Sequence, residues 1–134
     1  MVSCGIFVLP SDLGRLKSLT KLMLGGNTIS EVPDSIGDLE KLQVLELRNN
    51  SIYHVPDALC RCTKLQKLDL STNRVERLPV KLHLCKDMQV LDLRNNGLVC
   101  PPVEMSGDLN RVMAYLRNLD RGGELAQAKA PTSF

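Results

Sequence analysis

Leu19, Leu42, Leu65 and Met88 stand 23 residues apart, and each opens the same pattern. Leu22, Leu45, Leu68 and Leu91 follow three places on, and Leu24, Leu47, Leu70 and Leu93 five places on. Asn27, Asn50, Asn73 and Asn96 stand at the eighth place, and Ile29, Ile52, Val75 and Leu98 at the tenth. Val32, Val55 and Leu78 occupy the thirteenth, where Pro101 breaks the column, and Pro33, Pro56, Pro79 and Pro102 the fourteenth. The register runs through four units without an insertion. A chain that repeats at a fixed period of about 20–50 residues folds as a stack, because one unit cannot bury its apolar side alone.

Inside a unit, the alternation at Lys21-Leu22-Met23-Leu24-Gly25 is that of a strand. Side chains two apart share a face, so Leu22 and Leu24 point inward while Lys21, Met23 and Gly25 point outward. The proline at the fourteenth place fixes φ and lacks an N–H, which ends regular pairing. Residues 34–39 then return the chain along the outer side as a short helical or 3₁₀ turn, with Ile36 and Leu39 facing in. With two Phe, two Tyr and no Trp, the core must be aliphatic. The asparagines Asn27, Asn50, Asn73 and Asn96 belong to the scaffold, since an amide can both donate to and accept from the turn backbone.

The wording LxxLxLxxNxI resembles the leucine-rich-repeat signature. Its continuation, Val32-Pro33, Ile36-Gly37 and Leu39, resembles the 23-residue intracellular subclass related to Ras-pathway scaffold proteins and their plant intracellular Ras-group-related counterparts. The resemblance spans roughly residues 1–120. It implies an α/β leucine-rich-repeat solenoid with parallel concave strands, short helical or 3₁₀ outer segments and a C-terminal capping helix. It also implies a protein partner, with a small GTPase or a phosphatase as examples.

The ends differ. Reading back one period, Leu9-Pro10 matches Val32-Pro33, Leu13-Gly14 matches Ile36-Gly37, and Cys4 falls in the asparagine column. Residues 1–18 thus read as a partial N-terminal repeat, 19–105 as the repeats, 106–121 as a capping helix and 122–134 as a flexible tail. Leu109, Val112, Met113, Leu116 and Leu119 lie on one helical face, with Ser106 as N-cap, Asp108 in the first turn and Gly122-Gly123 as stop. Such a helix could bind a partner, but the end of a stack needs a lid, and the lid is the reading taken here.

Several classes of function find no support. A net charge of +2 is too small to imply nucleic acid or a membrane surface. No apolar run is long enough to span a bilayer, and the start has no basic region of a signal peptide. The five cysteines are not clustered as in disulfide-sealed secreted arrays, which favours a reducing cytoplasmic setting. Cys62 and Cys85 share the inward column of Leu39 and read as small core hydrophobes. Cys60 shares the less constrained column of Gly37, and Cys100 that of Glu31, His54 and Arg77, so both read as loop thiols. Cys60-Arg61-Cys62 lacks the second cluster a zinc site needs. His54 and His83 lie far apart in the repeat frame, and Gly25-Gly26 has no phosphate-loop continuation. The expectation is no enzyme activity, cofactor or metal.

The concave face carries the functional expectation. Its columns read Lys21, Val44, Lys67, Val90; then Met23, Glu46, Asp69, Asp92; then Gly25, Arg48, Ser71, Arg94; then Gly26, Asn49, Thr72, Asn95. Stacked carboxylates repel, and Arg48 and Arg94 relieve this. A mixed-charge groove on repeats two to four would hold a partner protein through Val44, Glu46, Arg48, Asn49, Lys67, Asp69, Thr72, Val90, Asp92, Arg94 and Asn95. The last residues, Thr132-Ser133-Phe134, fit the pattern in which PDZ domains take a free carboxylate. Two alternatives accompany the adaptor reading. One is a truncated isoform that self-associates through its open N-terminal edge; the other is a non-catalytic subunit of a ligase or phosphatase complex.

Overall fold

A computed structural model describes residues 9–102, 105 and 107–121. Cys4, Ser106, Gly122-Gly123 and Thr132-Ser133-Phe134, and with them the expected cap, stop and PDZ motif, lie outside the described residues.

Each unit contributes one short strand: β1 (Lys21–Met23), β2 (Val44–Glu46), β3 (Lys67–Asp69) and β4 (Val90–Asp92). They form one parallel sheet in chain order, with Leu22, Leu45, Leu68 and Leu91 as register partners. The pairing step equals the sequence period, so every residue sits beside its own equivalent. Leu45 and Leu68 are fully buried, as are Leu47 and Leu70 two places on.

After each strand the chain crosses the core and reaches a proline. A 3₁₀ turn stands before each strand: η1 (Ser11–Arg15), η2 (Asp34–Asp38), η3 (Asp57–Arg61) and η4 (Val80–Leu84). Pro10, Pro33, Pro56 and Pro79 stand just before them in extended conformation. The proline cannot donate to a ladder, but its carbonyl can accept. The Ile36 N–H donates to the Pro33 carbonyl at 3.0 Å, and Leu59 and Leu82 repeat this on Pro56 and Pro79 at 3.1 Å. Ile36 and Leu39 are fully buried. Among the described residues only isolated bridges precede the prolines, at Glu31–His54 and Arg77–Cys100.

The asparagines join units rather than closing turns alone. The Asn73 amide donates to the Leu70 carbonyl of its own unit at 3.0 Å and to Leu47 of the preceding unit at 2.9 Å. Its carbonyl oxygen accepts from the Ile52 N–H at 3.0 Å. Asn50 and Asn96 do the same one unit before and one unit after.

The stack ends on α1 (Leu109–Asp120), which packs against η4. Val112 and Leu116 are fully buried, and Leu109 and Met113 pack on the core. The N-cap of the helix is Asp108, whose carboxylate accepts from the Arg111 N–H at 3.2 Å.

The last residue of α1 carries a charge that helix electrostatics disfavour, since the C-terminal carbonyls already present partial negative charge. Asp120 is held by η4 instead. Lys81 Nζ lies 3.1 Å from its Oδ1, and His83 Nε2 lies 2.8 Å from its Oδ2. These donors, His83 first and Lys81 second, hold the Asp120 carboxyl below its ordinary value of 3.8. A depressed folded value means the contribution is present above the unfolded pKa and is lost as pH falls through the folded one. Asp120→Asn should therefore speed amide exchange in α1 several-fold at neutral pH. The gap from the parent protein should close under acid below 3.8. A gap that persists in acid would show that the carboxylate's charge is not what pins the helix.

Candidate functional site

The four columns of the concave wall stand where strand alternation puts them. In each unit the residue three places after the first strand leucine, Gly25, Arg48, Ser71 or Arg94, closes the strand on the wall side. Gly26, Asn49, Thr72 and Asn95, one place further, all adopt left-handed backbone, with φ of 78°, 57°, 55° and 59°. Glycine and asparagine accept this conformation readily; Thr72 does so against the strain of a branched Cβ. The shared turn keeps the arginine column and the amide column aligned along the stack.

The carboxylate column is quenched within each unit. Arg94 donates from Nε and Nη2 to Asp92 at 2.9 and 2.8 Å, a bidentate pair that holds the Asp92 carboxyl below the usual carboxylate range. Arg48 Nε lies 3.6 Å from Glu46. Asp69 has no arginine two places on, and Ser71 serves instead: its N–H and hydroxyl donate to the same carboxylate oxygen at 3.0 and 2.7 Å. Asp69 is left only 7% exposed. Little of it reaches the wall's surface. Repulsion between stacked acids is relieved by three intra-unit pairs rather than by two arginines alone.

The remaining candidates separate by exposure. Arg48, Asn49, Thr72, Val90, Arg94 and Asn95 are exposed, while Val44, Glu46, Lys67 and Asp92 are half-buried. An open cleft of about 590 Å³ runs along the strand ends, lined by Gly25, Gly26, Arg48, Asn49, Ser71, Thr72, Arg94 and Asn95. Glycines 25 and 26 give it floor rather than walls. In the sequence, the signal for Ser71 is its spacing of two from Asp69.

The thiols are set apart from this wall. Cys62 and Cys85 are buried, as their column requires, and burial pushes them to about 11. Cys60 is no loop thiol: it is buried in the core and pushed up to about 12, again mainly by burial. Its column mate Gly37 is tightly packed, because a Cβ there would stand 2.4 Å from the Ala58 carbonyl oxygen. Cys100 is half-buried. Thiols held so far above neutrality are poor nucleophiles. Among the described residues no group of His, Cys, Asp and Glu is placed to hold a metal ion.

The leucine rich repeat family model matches residues 5–52, 17–75 and 43–98, which together run through most of the chain. The chain belongs to the leucine-rich-repeat family. No curated protein matches it. Among solved structures, this leucine-rich-repeat chain is similar to a repeat protein of Leptospira interrogans, 31% identical with a TM-score of 0.72 over 79% of this chain and 27% of that one. It is similar to chains of two Arabidopsis structures. One is the BIR3–SERK2 complex, 28% identical with a TM-score of 0.64 over 71% of this chain and 53% of that one. The other is the receptor kinase HAESA in complex with the peptide hormone IDA and the co-receptor SERK1, 32% identical with a TM-score of 0.61 over 66% of this chain and 16% of that one. The chain spans less than two thirds of each. Among the described residues no helix is long and apolar enough to cross a membrane.

Proposed function

We propose that this leucine-rich-repeat chain is a non-catalytic protein–protein interaction module, an intracellular adaptor or scaffold that holds a partner on its concave wall. The observation that carries the reading is the wall itself. Four strands in strict register present aligned columns of guanidinium, amide, hydroxyl and valine side chains around an open cleft, on a scaffold whose buried polar groups are tied from unit to unit. A rigid, curved surface loses little freedom on binding. Two structurally similar chains come from complexes with a protein or a peptide hormone, which supports the same use.

Residues 19–105 would form the binding body and 106–121 its lid. The four thiols left free among the described residues support a reducing cytoplasmic setting. The resemblance to the Ras-pathway scaffold subclass supports a small GTPase or a phosphatase as client.

A photo-reactive amino acid separates wall from outer side. Placed at Val90 or Asn95 on the wall, it should crosslink a protein client in cytosolic extract. Placed at Asp57 in η3 on the outer side, it should not. Equal capture from both faces, or capture from the outer side alone, would sink the assignment.

A further inference from the structure

We infer that the cleft at the strand ends recognises an acidic peptide segment carrying two carboxylates three residues apart, one on Arg48 and one on Arg94. This deepens the concave-wall reading and rests on it. The sequence suggests a wall of mixed charge, with three acids against two arginines. The structure sorts the signs by depth. The Glu46 side chain is 12% exposed and that of Asp92 19%, whereas their partners Arg48 and Arg94 are 62% and 79% exposed. Asp69 is turned onto Ser71. A ligand approaching the wall meets the cations first, and no carboxylate lines the cleft.

Donor capacity agrees. A guanidinium has five N–H donors, and Arg94 spends two of its side-chain donors on Asp92. The others remain for an acceptor, and the exposed Asn49 and Asn95 amides beside them add donors suited to peptide carbonyls.

Spacing selects the ligand's geometry. Arg48 and Arg94 occupy the same column two strands apart, which at the usual strand separation is roughly 9.6 Å. A polyproline II peptide returns to the same face every three residues and advances about 9.3 Å in doing so. Acidic residues three apart in such a segment therefore meet both arginines without bending. Spacings of two or four miss one of them, and Ser71, between the arginines, is short enough to let the peptide pass.

The test uses the full chain and labelled, end-blocked peptides, read by fluorescence anisotropy. A Glu-Pro-Pro-Glu peptide should bind. Its Gln-Pro-Pro-Gln counterpart and a Glu-Pro-Glu peptide should each bind roughly tenfold more weakly, as should the parent peptide to Arg48→Gln or Arg94→Gln. Arg48→Lys and Arg94→Lys keep charge but lose the fork and should fall between. Both arginines are exposed, so circular dichroism should find the variants folded. Undiminished binding to the double Arg48→Gln/Arg94→Gln protein, or no preference for Glu over Gln, overturns the inference. So does a tenfold preference for phosphoserine in place of Glu, which would make the cleft a phosphate site. If a Lys-Pro-Pro-Lys peptide binds instead and wall substitutions abolish it, the acidic ligand is wrong while the concave-wall reading stands. If no peptide binds but crosslinking still maps to the wall, the acidic ligand falls alone.

Discussion

Asn73→Ala should destabilise the chain by about 2 kcal/mol and lower its midpoint of thermal unfolding by roughly 7 °C. The alanine orphans the Ile52 N–H and strips one of two amide donors from each of the Leu47 and Leu70 carbonyls, which keep Asn50 and Asn96. Asn73 is itself buried, so water does not readily replace it. An unpaired buried donor costs about 1–3 kcal/mol, and the two weakened carbonyls share its site, so the costs do not simply add. The break falls between central units of a structure stabilised by neighbours, where its effect on the whole stack is greatest. Asn73→Asp tests the donor half. It keeps the bond from Ile52 but turns a charged oxygen toward two carbonyls, so it should lose as much as alanine at neutral pH. Acidification, which restores an O–H donor, should recover part of that loss. Urea unfolding at two pH values decides this; equal stability of Asn73→Ala and the parent chain would remove the ladder from the account of what holds the units together.

Gly37→Ala should cost about 2 kcal/mol, which is large for the addition of one methyl group. The new carbon would lie 2.4 Å from the Ala58 carbonyl oxygen and 2.5 Å from Arg61 Nε. Arg61 can swing away, at the expense of its contacts with the Asp34 carbonyl and Asp38. The Ala58 carbonyl belongs to η3 and moves only if the η2–η3 packing opens. Gly97→Ala is the control, since nothing lies within 4 Å of its added carbon and the change should stay within about 0.5 kcal/mol. Similar melting curves for the two variants would mean that the outer turns are loosely packed.

Much of this fold is legible in the sequence for a specific reason. Inward positions such as Leu45, Leu47 and Ile52 are buried completely, so only aliphatic side chains fit, and the period shows as identity. The strands, the outer turns and the ladder follow from that frame. Placing Cys60 with a loop thiol failed because Gly37, its column mate, reads equally as tolerance or as close approach, and only the Ala58 carbonyl tells which. The wall's columns were also legible, but its sign was not. Exposure depends on which side chain folds over which, and the arginines overlie the acids. The clue was present, since Glu46 and Arg48, Asp69 and Ser71, and Asp92 and Arg94 each stand two apart on one face. The Asp120 clasp had no such clue, because its partners Lys81 and His83 are brought to it by the docking of α1, 39 and 37 residues away in sequence.

The equality of pairing step and sequence period has an evolutionary corollary. Since Leu22, Leu45, Leu68 and Leu91 are interchangeable neighbours, the residues beside them can be rewritten without disturbing what lies beneath. Interior and recognition surface are thus inherited on alternate letters of the same short word. On the proposed reading, a lineage would trade one ligand for another by editing Met23, Glu46 or Asp92 and the positions two beyond, while the leucines between them stay as they are.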